Sequence, residues 1–163
     1  MDKRIFDRRT LLGAAGLTAL SGLLVPRQIL AATHAFQVFH TPGEWKRLLG
    51  PERFTVLREA GTERPFTSPL LKEHRRGTFA CAGCRQPLFS SATKFESGTG
   101  WPSFYRALPN SVITRIDRQM LIERTEVLCA RCGGHLGHVF DDGPKPTGLR
   151  YCMNGLALAF RPA

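Results

Sequence analysis

Five cysteines carry the chemistry this sequence could perform, and their spacing separates four from one. Cys81-Ala-Gly-Cys84 and Cys129-Ala-Arg-Cys132 are two C-x-x-C pairs, with Gly83, Gly133 and Gly134 in or just after the turns. A tight turn of this kind aims two sulfurs at one ion. Two such turns fill a tetrahedral shell and leave no position for water or substrate. A Zn²⁺ held by Cys81, Cys84, Cys129 and Cys132 would therefore be structural. Two disulfides are the rival reading, suited to an oxidising compartment. A redox role for either pair is weaker, since two such pairs would need two active sites.

The fifth cysteine, Cys152, stands in Leu149-Arg-Tyr-Cys-Met-Asn-Gly-Leu-Ala-Leu-Ala-Phe160. Read as one strand, this segment puts Arg150, Cys152, Asn154, Leu156, Leu158 and Phe160 on a single face, polar at one end and apolar at the other. The thiol then lies between a guanidinium and an amide, and the cation favours the nucleophilic thiolate. A buried, inert thiol is the ordinary alternative for a lone cysteine. Upstream, Gly134-His-Leu-Gly-His-Val-Phe-Asp-Asp-Gly-Pro144 follows the second knuckle directly and offers two imidazoles and an acid. His135 and His138 could supply and relay protons, and Asp142 could orient one of the rings. In Lys94-Phe-Glu-Ser-Gly-Thr-Gly-Trp-Pro-Ser-Phe104, Gly98 and Gly100 permit a sharp loop and Pro102 restricts Trp101 to extended backbone. Trp101 is there either as a core anchor or as the wall of a ligand pocket.

The elements that must position these groups are short. Thr41-Pro42 followed by Glu44, Trp45, Leu48 and Leu49 reads as a helix with Thr41 as N-cap and Glu44 closing a capping box. Gly50-Pro51 ends it. A second helix over Glu52 to Glu59 turns Phe54, Leu57 and Ala60 inward and stops at Gly61. Beyond Thr78, short apolar runs alternate with Gly, Pro, Asn and Asp. Val112 to Ile116, Met120 to Val127, Leu136 to Phe140 and Leu149 to Phe160 are the strand candidates. A mainly β body with a small N-terminal helical cap is expected.

The chain has 163 residues, enough for one domain of ordinary size, and its 42% hydrophobic content supports a packed core. Collagen-like, coiled-coil, disordered and multi-span membrane classes fail on composition. The net charge of +10 invites nucleic acid, but the basic residues are spread along the chain with no polybasic arm, so no nucleic-acid partner is expected. Residues 1–35 combine basic residues ending in Arg8-Arg9, an apolar run from Leu11 to Val25, and small residues at Ala31, Ala32 and Ala35. That order is the order of a secretory signal. Fifteen helical residues rise about 22 Å, short of a hydrocarbon core of about 30 Å, so no stable membrane span is expected after cleavage. Arg8-Arg9-Thr10-Leu11-Leu12 resembles a twin-arginine export signal. The expected organisation is thus a signal over 1–35 and one domain over 36–163, delivered by the twin-arginine machinery to the periplasm or otherwise exported.

Taken together, GTERPF, CAGC, PLFSSATKFESGTGWPSF, CARC, GHLGHVFDDGPKPTGLRYCMN and LALAF resemble the B-type methionine sulfoxide reductases, from about Phe39 to Phe160. The resemblance implies two antiparallel sheets in a tent-like (Mss4-like) arrangement, with structural zinc at the paired knuckles. It implies reduction of the R epimer of methionine sulfoxide, chiefly within proteins, through a sulfenic acid on Cys152. Trp101 and Phe140 would then contact the substrate, while His138, His135, Asn154, Arg150 and Asp142 would form the acid, orienting and thiolate-stabilising groups. Many relatives carry a resolving cysteine where this chain has Thr99, so a thioredoxin-like or other external thiol donor is implied. Serine is commoner than Gly155 after the asparagine. Two readings from other classes compete. One is a zinc-ribbon module for nucleic acid, which an export signal disfavours. The other is a redox-sensing zinc protein.

Overall fold

The computed structural model describes residues 36–118 and 123–163. The export-type segment expected over 1–35 lies outside the described residues, as does the start of the strand expected from Met120. Nine strands and one helix make up the regular structure of the described residues, joined by three short 3₁₀ turns.

Helix α1 spans Pro42–Glu59 and begins as its sequence dictates. Thr41 accepts the Glu44 N–H, and the Glu44 carboxylate takes the Thr41 N–H at 2.7 Å. Both expected helices are present within this span, separated by a break where Gly50 adopts the non-helical φ 72°, ψ 170° ahead of Pro51. The stop differs by one residue from expectation. Ala60 takes the left-handed C-cap conformation at φ 55°, ahead of Gly61. Trp45, Val56 and Leu57 are buried, while Leu48 remains exposed.

Strands β1 (Gly77–Cys81), β2 (Pro87–Ser90) and β9 (Leu158–Pro162) form a three-stranded antiparallel sheet in the order β2-β1-β9. The other sheet has six strands. They are β3 (Lys94–Phe95), β4 (Ser103–Phe104), β5 (Val112–Asp117), β6 (Arg124–Cys129), β7 (His135–Phe140) and β8 (Arg150–Met153), ordered β3-β4-β8-β7-β6-β5. Every pairing is antiparallel. Between the sheets, Phe104 of β4 stacks on Phe89 of β2 with ring centroids 4.4 Å apart and meets Phe79 of β1 edge-on at 4.9 Å. All three rings are fully buried. Such aromatic clusters contribute through apolar area, with about 0.5–1.5 kcal/mol more per well-oriented pair.

One sequence expectation fails here. The segment from Leu149 to Phe160 is not one strand. It is β8, then a 3₁₀ turn over Gly155–Ala157, then β9, and the two strands belong to different sheets. Period-two alternation therefore holds from Arg150 to Cys152 and is lost at Asn154, the residue that caps the turn. A continuous apolar run cannot reveal such a transfer, because both strands and the turn between them face the same core.

Candidate active site

The two knuckles converge beneath α1. All four sulfurs of Cys81, Cys84, Cys129 and Cys132 lie within 4.8 Å of one another, with Cys81–Cys132 at 3.7 Å and Cys84–Cys129 at 3.5 Å. A tetrahedral ion with bonds of about 2.3 Å spaces its sulfurs by about 3.8 Å, whereas a disulfide needs about 2.05 Å. The donor set fits a Cys₄ metal and does not fit the two-disulfide rival. Each knuckle closes by the same bond, Arg85 N–H to Cys81 O and Gly133 N–H to Cys129 O. The residue after the second cysteine is left-handed both times, at φ 65° for Arg85 and 69° for Gly133. Hydrogen bonding to Cys129 and the other knuckle sulfurs, reinforced by burial, pushes the Cys81 thiol up. Four thiolates therefore coexist only around a cation. Above the cluster, Arg58 caps the Cys132 carbonyl at 3.0 Å and lies over the Trp45 ring.

Cys152 occupies a different part of the molecule. On β8 it pairs directly with Ser103 of β4 and with His138 of β7. Residues paired across an antiparallel sheet share a face, so Cys152, Ser103, His138 and Arg150 project together. His135 joins them through a bulge. Three residues apart on a regular strand, His135 and His138 would point to opposite faces. In β7, however, Val127 pairs with Gly137 and Leu128 with His135, so Leu136 is the extra residue and the face is restored. Gly137 is needed at this point, since a Cβ there would collide with the Cys152 carbonyl oxygen.

Two acids that the sequence reading did not single out hold the imidazoles. Asp117 lies 2.9 Å from His138 Nε2 and accepts the Arg124 guanidinium at 2.7 Å. Glu126 lies 2.6 Å from His135 Nδ1 and is paired on its other oxygen with Arg115. With Glu126 ionised, Nδ1 carries the proton and the buried His135 Nε2 is left without a partner among the described residues. Burial pulls the His135 pKa down, against the opposing pull of Glu126. The net lowering favours the neutral ring, with Nε2 as its open nitrogen. Neither acid stood out in the sequence, with Glu126 inside the strand expected over Met120 to Val127 and Asp117 just past the one expected over Val112 to Ile116. Only the register assigns them to the histidines.

Asp142 does not orient an imidazole, contrary to expectation. Its two oxygens accept a bidentate bond from Arg150, both at 2.8 Å. Arg150 in turn lies over the Phe140 ring at 4.3 Å and interacts electrostatically with Cys152. Asn154 is placed differently as well. Its amide donates to Leu136 O at 3.2 Å and accepts the Glu63 N–H at 3.0 Å. Glu63, within the GTERPF block, is the residue most underread from sequence. Its carboxylate takes the N–H groups of Gly155 and Leu156 at 2.5 and 2.8 Å, and its carbonyl accepts Trp101 Nε1 at 3.2 Å. One buried acid thus ties the Trp101 loop to the turn that follows Cys152.

The unusual Gly155 has a local cause in the same cluster. A Cβ at position 155 would overlap Ser68 Oγ and come within 2.6 Å of Ser68 Cβ. Ser68 fills that space while accepting the Leu70 N–H at 3.2 Å. Beside Cys152, Thr99 Oγ1 approaches Sγ at 3.7 Å. A cavity of about 900 Å³ lies elsewhere, between α1, the Glu63 segment and β9. Among the described residues, no helix is long and apolar enough to cross a membrane.

A mainly β domain with a closed four-sulfur cluster and, apart from it, one half-buried thiol among cations and imidazoles has the build of a thiol-dependent oxidoreductase. Comparison with known proteins narrows that class. The SelR domain model matches residues 49–162. A peptide methionine sulfoxide reductase MsrB of Leptospira interrogans is 51% identical over 127 residues, covering 77% of this chain and 97% of that protein. The enzyme of the same name from Thiobacillus denitrificans is 54% identical over 123 residues, covering 75% and 93%. This chain belongs to the SelR domain family of MsrB reductases. Among solved structures, the Mis18 Yippee-like domain aligns with a TM-score of 0.43 at 20% identity, over 55% of this chain and 98% of that one.

Proposed function

We propose that this protein reduces the R epimer of methionine sulfoxide, chiefly in proteins, with Cys152 as the nucleophile. The observation that carries the reading is the place of Cys152, the one cysteine outside the four-sulfur cluster, half-buried opposite His138 and beside Arg150. The Cys152 thiolate attacks the sulfoxide sulfur and the S–O bond breaks. The oxygen finishes on Cys152 as a sulfenic acid and the thioether of methionine departs, so the cysteine is oxidised by two electrons as the substrate is reduced. His138 is the proton carrier to the oxygen, with Asp117 fixing its ring. Neutral, buried His135 supports it. Arg150, held by Asp142, favours the thiolate, while Trp101 and Phe140 wall the substrate side and Asn154 fixes the turn behind it. In the four-sulfur cluster Cys81, Cys84, Cys129 and Cys132 would hold Zn²⁺, which supplies folding energy there and no chemistry.

Thr99 leaves no resolving thiol at its position, so the two thiols of one external, thioredoxin-like donor reduce the sulfenic acid directly, releasing water and leaving the donor as its disulfide. The segment with Arg8-Arg9 supports export by the twin-arginine route, with oxidised exported proteins as clients. The decisive assay offers one peptide carrying each sulfoxide epimer, with and without reductant, and follows Cys152 by mass spectrometry. The R epimer should turn over and, without reductant, Cys152 should gain one oxygen. Turnover of the S epimer, or an unmodified Cys152, would overturn the reading.

A further inference from the structure

The hydroxyl nearest the thiol is the end of a chain. Thr99 Oγ1, 3.7 Å from Cys152 Sγ, lies 2.8 Å from Ser97 Oγ, which lies 2.7 Å from Ser103 Oγ. Ser103 Oγ then donates to the Trp101 carbonyl at 3.1 Å. Ser103 is fully buried and pairs with Cys152 across the sheet, so both ends of the chain are fixed by backbone.

Proton counting gives this chain two polarities. Each hydroxyl has one hydrogen, and a carbonyl only accepts. While Ser103 donates to Trp101 O, Ser97 donates to Ser103 and Thr99 donates to Ser97. Thr99 then presents a lone pair to Cys152 and accepts its S–H. A thiolate reverses the order. Thr99 donates to sulfur, Ser97 to Thr99 and Ser103 to Ser97, and the Trp101 carbonyl is released. No proton leaves the chain in the reversal; three hydroxyls turn about their C–O bonds.

We propose that Thr99, Ser97 and Ser103 form a reversible hydroxyl chain that stabilises the Cys152 thiolate through Thr99 and couples its ionisation to the backbone of the Trp101 loop. Ser97 and Ser103 are positioning residues, acting only through Thr99. The proposal rests on the assignment of Cys152 as the nucleophile, and it explains what a hydroxyl does at the position where many relatives carry a resolving cysteine. Other groups also face the sulfur. Arg150 does so from β8, with Asp142 behind it, and His138 from β7, with Asp117 behind it. All four stay in place in the variants below, so differences between variants report the hydroxyls.

The test is the pH dependence of iodoacetamide alkylation at Cys152 in the full-length, metal-loaded protein, quantified by peptide mass mapping. Losing a hydrogen bond to the thiolate disfavours the charged form, so the midpoint rises. Thr99→Val, which keeps the branched shape, should raise it by about one pH unit, and Thr99→Ser should restore it. Ser97→Ala should raise it in the same direction by a smaller amount with unchanged melting temperature. An unmoved midpoint in Thr99→Val overturns the proposal. A shift in Thr99→Val with none in Ser97→Ala also overturns it, because the threonine would then act alone. Alkylation requires no turnover, so either result leaves the sulfoxide reductase reading to be judged by its own epimer assay.

Discussion

The two sulfur sites of this protein use the same atom for opposite ends. At the knuckles, three of four cysteines are buried, their partners are other sulfurs and turn amides, and α1 covers them. At Cys152 the sulfur is half-buried on a sheet face, and its neighbours are a hydroxyl, an imidazole and a guanidinium. A thiolate that gives its charge to a cation inside a closed four-sulfur shell is quenched and shielded from substrate, whereas a sulfur outside such a shell keeps its charge for chemistry when it ionises. Reactivity in this molecule is a matter of what surrounds the sulfur.

The sharpest break between the two regions is expected from Cys152→Ser. Loss of the one thiol outside the cluster should abolish sulfoxide turnover, while metal content and melting temperature match the parent. Activity above about a tenth of the parent's would mean that chemistry occurs elsewhere. The mirror experiment is Cys84→Ser or Cys129→Ser. Three remaining sulfurs bind the ion weakly, so metal should be lost and the melting temperature should fall by roughly 10 °C or more. Metal analysis and a thermal melt decide this, and a metal-free variant of parental stability would refute a structural site.

A smaller effect tests the scaffold beside the Cys152 thiol. Gly155→Ala should destabilise by about 1–3 kcal/mol, because its Cβ overlaps Ser68. Adding Ser68→Gly should recover most of that loss, since replacing a capping serine by glycine costs only a few tenths of a kcal/mol. A thermal double-mutant cycle measures the coupling. Additive effects would show that the two positions do not share the space.

Some of this architecture was open to sequence reading because it is local. The capping box of α1 needs only Thr41, Pro42 and Glu44 within one turn, and it formed as expected. The knuckles need two short spacings. By contrast, Glu126, Asp117, Glu63 and Ser68 gave no signal of their own. Each is an ordinary polar residue until register or a turn brings it to His135, His138, Asn154 or Gly155. Asp142 misled for the same reason, standing close to the histidines in sequence and bonded to Arg150 in space.

The sequence by itself determined which atoms are available, namely four cysteines in paired turns, a fifth apart from them, two histidines and an arginine. It determined the helix start as well, since side-chain and backbone groups a few residues apart leave little freedom. Tertiary structure decided how those atoms are used. The bulge at Leu136 put both imidazoles on the Cys152 face, and the 3₁₀ turn after Met153 sent one apolar segment into two sheets. Both depend on which strand lies beside which, a choice made by the buried aromatic layer between the sheets and by backbone pairing over long sequence distances.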